Sequence, residues 1–206
     1  MQTLYYYKLT VDDGGAPCIR NGLLSLAICK PMIRAKAELD SIIFGFAANS
    51  LEETNPLLYI AVVTDIARDG SYYRDRHFIS RPDCIYALRD GGFKWRSGSR
   101  YHGPAHLVHD LGPGPGHRRA QVLLSNDFRY FGSRGTAEYK SKYLSIKQAV
   151  ERLGQGHRVN HPDSLREQLL ELKADVWKAS KKKVLGAPYL APDRRHCHRE
   201  RSCGSC

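Results

Sequence analysis

The sequence predicts an α+β domain, a small twisted or barrel-like mixed β-sheet with C-terminal helices packed on one side. Short apolar runs typical of strands recur up to residue 125, and apolar stripes at helical spacing occupy the C-terminal third. Strict alternation of strands and helices is missing, which disfavours a doubly wound parallel sheet. With 206 residues, of which 42% are hydrophobic, the chain is long enough and apolar enough for one domain with a core.

The strands are predicted from short apolar runs that end in turn residues. The first run places Tyr5, Tyr7, Leu9 and Val11 on one face at period two, and Asp12-Asp13-Gly14-Gly15 ends it. Pro56 precedes another of the runs. The predicted strands cover residues 4–11, 23–29, 41–47, 57–63, 84–88 and 122–125.

A loop rich in glycine and histidine, residues 89–119, separates the last two predicted strands. It has no helical period, and a loop of this length is either functional or disordered. Two helices are predicted after it. The first has an apolar stripe from Ile146 to Leu153, and the second continues from Leu165 to Val176 with a charged outer face.

The net charge of +11 is distributed unevenly. Residues 178–206 hold eight lysines and arginines against two acids, a net +6, which leaves +5 for the other residues. We predict one domain over residues 1–186 and a basic, Cys/His-rich tail over 187–206 that is solvated and disordered, or that contacts phosphate. Neither an apolar span nor a signal peptide is visible, so a cytoplasmic protein with no membrane association is expected.

Lys30 and Arg34 are the first candidate ligands. They follow an apolar run and lie four residues apart across Pro31, which is favoured in the first turn of a helix. Such a pair could bind a phosphate or a carboxylate. The alternative is a solvated helix start.

Carboxylates and aromatics near other strand ends extend the candidate set. Asp13 belongs to a turn that could also present a carboxylate to a pocket. Arg81 and Asp83 precede a predicted strand. In residues 125–132 polar and aromatic side chains interleave, so Asp127 and Tyr130 are candidate ligands for a base, while the phenylalanines there suit the core.

The tail contains the one candidate metal site. A Cys-x-x-Cys motif and an adjacent Cys-His could close a tetrahedral zinc site, with a disordered tail as the alternative. The four ligands would be Cys197, His198, Cys203 and Cys206. No other cofactor is predicted, and no pairing of a nucleophile with a base is visible in the sequence.

Five segments in this order resemble a known family, the second type of nucleotide modification associated domain. They are Asp13-Gly14-Gly15-Ala16-Pro17, residues 26–34, Asp40-Ser41-Ile42-Ile43-Phe44-Gly45, residues 81–86 and residues 124–132, and the likeness spans about 5–160. It implies a phage or bacterial system that makes or handles hypermodified bases in DNA. Leu39 stands where the family commonly has glycine. At the level of the fold, the layout is also similar to PUA-like domains that bind modified bases.

Two functions follow from these observations and the resemblance. The first is a binding module for a modified base or nucleotide, in DNA or free, using the candidate ligands above. The alternative is an enzyme on the same substrate class, such as a base-modifying transferase or a glycosylase. An interaction protein of a defence or phage operon, with no pocket chemistry, is a third possibility. The sequence leaves open which base is bound and how many copies of the chain assemble.

Overall fold

The computed structural model describes residues 2–154 and 156–190. The predicted zinc ligands Cys197, His198, Cys203 and Cys206 lie outside the described residues. The strands are β1 (Leu4–Leu9), β2 (Cys18–Arg20), β3 (Leu23–Leu26), β4 (Ile42–Ala47), β5 (Leu57–Val62), β6 (Asp65–Ala67), β7 (Tyr86–Arg89), β8 (Gly92–Trp95), β9 (Val122–Ser125), β10 (Asp127–Tyr130) and β11 (His157–Arg158). The α-helices are α1 (Pro31–Lys36), α2 (Leu107–Leu111), α3 (Tyr139–Lys142), α4 (Leu144–Arg152) and α5 (Asp163–Ala179).

A five-stranded mixed sheet forms the centre of the domain, in the order β10-β5-β4-β1-β11. Strands β1 and β4 are parallel, and the other pairs are antiparallel. Because side chains alternate along each strand, Tyr6 and Phe44 point to one face, where they pack with Val150 of α4 and Leu169 of α5. The C-terminal helices therefore cover one face of this sheet, as predicted.

A second sheet, β2-β3-β9-β6, packs on the opposite face of the central sheet. Leu26 and Leu123 reach toward Tyr5 and Tyr7 of β1. The neighbouring residues Val122 and Leu124 point the other way, into a third cluster beneath the β7-β8 hairpin. The second sheet is thus buried on both sides, which explains why the run before Cys29 is almost continuously apolar.

The α+β prediction is confirmed at this level, but the barrel-like alternative is wrong. The described strands form three separate sheets, and none of them closes on itself. The likeness to PUA-like domains is not confirmed by this arrangement. All six predicted strands exist. Those at 4–11, 23–29, 41–47, 57–63 and 84–88 have shifted ends, and β9 covers residues 122–125 as predicted.

The segment 89–119 is more ordered than a loop. It contains β8 and the short helix α2, which has too few residues to display a helical period in the sequence. The backbone after the predicted domain end at residue 186 also joins the fold, because the Leu190 N–H donates to the Asp12 carbonyl. Within the described ranges, no helix is long and apolar enough to cross a membrane.

Candidate active site

A strained turn joins strand β3 to helix α1. Cys29 and Lys30 both have positive φ, 57° and 41°, and Pro31 then begins the helix. A residue other than glycine in this region costs about 1–2 kcal/mol, so the surrounding contacts must hold the turn in place. A strained strand–turn–helix connection is also the device by which some hydrolases expose a nucleophilic side chain.

The turn brings the Cys29 thiol to a histidine and an aspartate from the 89–119 segment. The Cys29 Sγ lies 3.4 Å from His102 Nε2, and His102 Nδ1 lies 2.6 Å from Asp110 Oδ2. Because Asp110 accepts at Nδ1, the neutral imidazole carries its proton there and Nε2 is left as the acceptor for the thiol proton. A thiol, an imidazole and a carboxylate therefore contact one another in the order that a nucleophile, its base and the group that orients the base take in enzymes.

Asp110 is the centre of the arrangement. One carboxylate oxygen accepts from the Cys29 backbone N–H at 3.3 Å, and the other accepts from Tyr86 Oη at 2.7 Å and from His102. Burial would raise the pKa of Asp110, but the hydrogen bond and charge of His102 and the charge of Arg34 outweigh it and lower the pKa below its ordinary value. Asp110 is therefore a carboxylate at neutral pH, as an orienting group requires.

Arg34 fastens the turn to α2. Its guanidinium donates to the carbonyls of Cys29 and Asp110 at 2.9 and 2.6 Å, and to those of Arg119 and Gln121. The side chain is fully buried. A ligand would have to displace these carbonyls to reach the guanidinium, so the structure gives Arg34 a supporting place behind Cys29 and Asp110 and not a position in a binding surface.

The three body cysteines lie in different environments. Burial raises the pKa of the Cys18 thiol to about 12 and that of Cys84 to about 11, and both side chains are enclosed. Cys29 is partly exposed, and the His102 side chain beside it is 15% exposed. Reactive cysteines are partly exposed and lie near a base, and of these three cysteines Cys29 is the one that is partly exposed and next to an imidazole.

Lys30 follows Cys29 in the strained turn. Its ammonium lies 4.8 Å from the centroid of the Tyr7 ring, and the Tyr7 hydroxyl is 2.7 Å from that of Tyr59. Burial, followed by the neighbouring Tyr59 and Cys29, raises the pKa of Tyr7 well above its usual value. Lys30 is thus the one predicted ligand that lies beside Cys29 with a partly exposed side chain among the described residues.

Arg81 and Asp83 form a separate cluster that is fully enclosed. Arg81 donates to the carbonyls of Cys18, Arg20 and Leu23 and to the hydroxyls of Ser25 and Tyr72. Asp83 accepts from both of those hydroxyls, at 2.5 and 2.7 Å. The groups of this cluster contact one another, so it fixes β2 and β3 to the segment before β7.

The other predicted ligands are dispersed. Tyr130 is buried and donates to both carboxylate oxygens of Asp12, at 2.7 and 2.8 Å. The Asp13 carboxylate accepts from the Gly15 backbone N–H within its turn. Asp127 accepts from Trp177 Nε1 of α5 at 2.8 Å. Each of these three side chains is bonded to a different partner within the fold.

Two cavities of the described structure lie away from Cys29. Within the part of the chain that the structure describes, no three His, Cys, Asp or Glu side chains are grouped to hold a metal ion. The two cavities, of about 210 and 430 Å³, are lined by other residues.

Cys29, His102 and Asp110 were not among the predicted site residues. The loop rich in histidine and the apolar run before Cys29 were both visible in the sequence, but 73 residues separate the cysteine from the histidine. Pairing one of nine histidines with one of six cysteines requires the fold.

Comparison with known families identifies the class of protein. The family described as nucleotide modification associated domain 2 matches residues 1–192. The chain therefore belongs to the nucleotide modification associated domain 2 family, as its motifs suggested. No curated protein matches the chain, and no solved structure matches it.

Proposed function

We propose that the protein is a thiol-dependent enzyme of a nucleotide modification system, with Cys29 as nucleophile, His102 as general base and Asp110 as the orienting group. The observation that carries this proposal is the chain of contacts from thiol to imidazole to carboxylate, at 3.4 and 2.6 Å, on a strained turn. Family membership supports the substrate class, a nucleotide or a base.

The reaction class that fits these groups best is acyl transfer. His102 Nε2 takes the proton of the Cys29 thiol while the sulfur attacks an acyl carbon on the substrate, which forms a thioester and leaves the imidazole protonated. The imidazolium then returns its proton to the departing amine or alcohol. Water, or a second amine or alcohol, attacks the thioester in turn, and Cys29 regains its proton through His102.

Alkylation of Cys29 tests the activated thiol directly. The folded protein is treated with iodoacetamide, and peptide mass spectrometry measures the alkylation rate of each cysteine. Near neutral pH, Cys29 should be alkylated faster than glutathione, while Cys18 and Cys84 should stay unmodified. His102→Ala should slow alkylation of Cys29 about tenfold or more. If Cys29 is alkylated no faster than glutathione and His102→Ala leaves that rate unchanged, the proposal fails.

Incubation with acylated nucleosides and nucleotides tests the reaction. A mass change in the substrate, together with an acyl group trapped on the Cys29 peptide, is the expected result. Cys84→Ala serves as the matched control because this buried thiol lies outside the site. Turnover that persists in Cys29→Ala would remove Cys29 from the mechanism.

Binding of modified DNA without catalysis is a second candidate. It is favoured by the exposed lysines that follow α5, Lys181 and Lys182, and by the net +6 of residues 178–206. A gel-shift comparison of modified and unmodified DNA tests it. Equal, weak and salt-sensitive binding to both would assign the interaction to the basic C-terminal residues alone.

A further inference from the structure

A cavity of about 430 Å³ lies on the helix-covered face of the central sheet, the face opposite Cys29. Its walls come from β1, α4, β11 and the start of α5. The volume falls within the range of small-molecule sites, roughly 300–1,000 Å³. Its lining residues are Tyr6, Ser145, Gln148, Ala149, Arg152, Leu153, Arg158, Asn160, Pro162, Ser164 and Leu165.

Strand register brings an aromatic ring and an arginine together in this cavity. Tyr6 of β1 and Arg158 of β11 are direct antiparallel partners, so their side chains point to the same face of the sheet. Their neighbours Tyr7 and His157 form the next pair and point to the other face. Tyr6 is buried, whereas Arg158 is exposed at the rim.

Helix α4 contributes a second arginine from the facing wall. Ser145, Gln148 and Arg152 recur at intervals of three and four residues, so they lie along one side of the helix. Leu153 and Leu165 supply buried apolar surface. The cavity therefore has an apolar floor and a polar rim with two arginines.

Acidic side chains do not offset these charges in the lining. None of the residues that form the cavity is Asp or Glu. Glu151, beside Arg152 in the sequence, forms an ion pair with Lys140 at 3.2 Å. Arg158 commits one guanidinium N–H to the His157 carbonyl at 3.0 Å. Planar guanidinium groups above an apolar floor suit a phosphate group carried by an organic body.

We propose that this cavity is a phosphate-binding site for a nucleotide or for a nucleic-acid backbone, separate from the Cys29 site and independent of the proposed chemistry there. The phosphate would contact Arg152 and Arg158, and the attached sugar or base would lie against Tyr6. Ser145, Gln148, Asn160 and Ser164 offer hydroxyl and amide groups for the same ligand.

Calorimetric titration of the full chain tests the site. The probes are inorganic phosphate, thymidine 5′-monophosphate, thymidine and a short oligothymidylate. Affinity for the monophosphate should fall about tenfold in the double variant Arg152→Gln/Arg158→Gln. It should stay unchanged in the charge-matched control Arg76→Gln/Arg89→Gln, which changes two exposed arginines outside the cavity. Thymidine should not bind measurably to the wild type or to either variant.

The probes also separate the two sources of phosphate. Tighter binding of the monophosphate indicates a free nucleotide, and tighter binding of oligothymidylate with the same loss in the arginine variant indicates a nucleic-acid backbone. Equal affinity of wild type and arginine variant for every phosphate probe would overturn the proposal. Cys29→Ser should bind as wild type does, so failure of the thiol chemistry and failure of this site are distinguished.

Discussion

Two polar clusters, built from similar groups, lie close together along the chain, one at β3 and one just beyond its end. At Ser25 of β3, Arg81, Asp83 and Tyr72 form an enclosed network. Three residues beyond the end of β3, Cys29 contacts His102, Asp110 and Arg34, and Tyr86 donates to Asp110. Each cluster joins a carboxylate, a tyrosine hydroxyl and an arginine that donates to backbone carbonyls.

The two clusters differ in the solvent exposure of their side chains. In the first, the Ser25 hydroxyl is enclosed and bonded to Arg81 and Asp83. In the second, the chain of contacts ends on a partly exposed cysteine and a partly exposed imidazole. Buried polar groups that satisfy one another stabilise a fold, while a similar set that ends at the surface can act on a ligand. Access therefore separates the structural cluster from the candidate active site.

The largest expected effect comes from the nucleophile. Cys29→Ser should lower turnover by about a thousandfold or more, because a serine hydroxyl is a far weaker nucleophile at neutral pH. Ser25→Ala is the matched change in the enclosed cluster. It should lower thermal stability while alkylation of Cys29 in the folded protein continues at the wild-type rate. If Cys29→Ser and Ser25→Ala lose turnover equally, the two clusters do not differ in function as proposed.

Exchanging the orienting carboxylate is the next test. Asp110→Asn should lower turnover by about 10³–10⁴-fold, because an amide can favour the wrong imidazole tautomer. Thiol alkylation, measured at the same pH in wild type and variant, should fall as well. If turnover and thiol alkylation of Asp110→Asn both stay at wild-type values, His102 needs no orienting carboxylate, and Asp110 has no part in the mechanism.

The enclosed cluster should respond in stability. Asp83→Asn leaves the buried Arg81 guanidinium without its charge partner, which costs about 3–5 kcal/mol. Denaturant unfolding monitored by circular dichroism measures this loss, and the alkylation rate of Cys29 below the transition should not change. An unfolding midpoint equal to that of wild type would show that the pair contributes nothing net.

The smallest effect is a dependence on pH. The pKa of Asp110 is lowered in the fold, so the stability it contributes is full above the unfolded value, near 4, and is lost as pH falls through the lower folded pKa. The difference in unfolding free energy between wild type and Asp110→Asn should therefore shrink below about pH 4. A difference that grows with acidification contradicts this sign.

Much of the scaffold was predictable from the sequence. Long apolar runs such as β4 and β5 carry strong local signals, and the stripes of α4 and α5 repeat often enough to be recognised. Strands of two or three residues, such as β2, β6 and β11, are too short to show a period. Helix α2, with five residues, was missed for the same reason.

The candidate ligands show a different limit. Charged residues at strand ends suggested a pocket, yet Arg34, Arg81 and Asp83 are buried and bonded within the fold. A sequence shows that a charge lies near the end of a strand, but not whether its donors meet solvent or backbone carbonyls. Lys30 follows Cys29 in the turn and is partly exposed, and its role as a ligand stays a prediction.

The sequence by itself determined the family, the α+β class and the position of the C-terminal helices, because ordered motifs and local periodicity are properties of the chain alone. Only the tertiary structure decided which residues meet. Cys29, His102 and Asp110 come together because the second sheet and α2 bring a turn and a distant segment into contact. Such contacts depend on long-range packing, which no local pattern encodes.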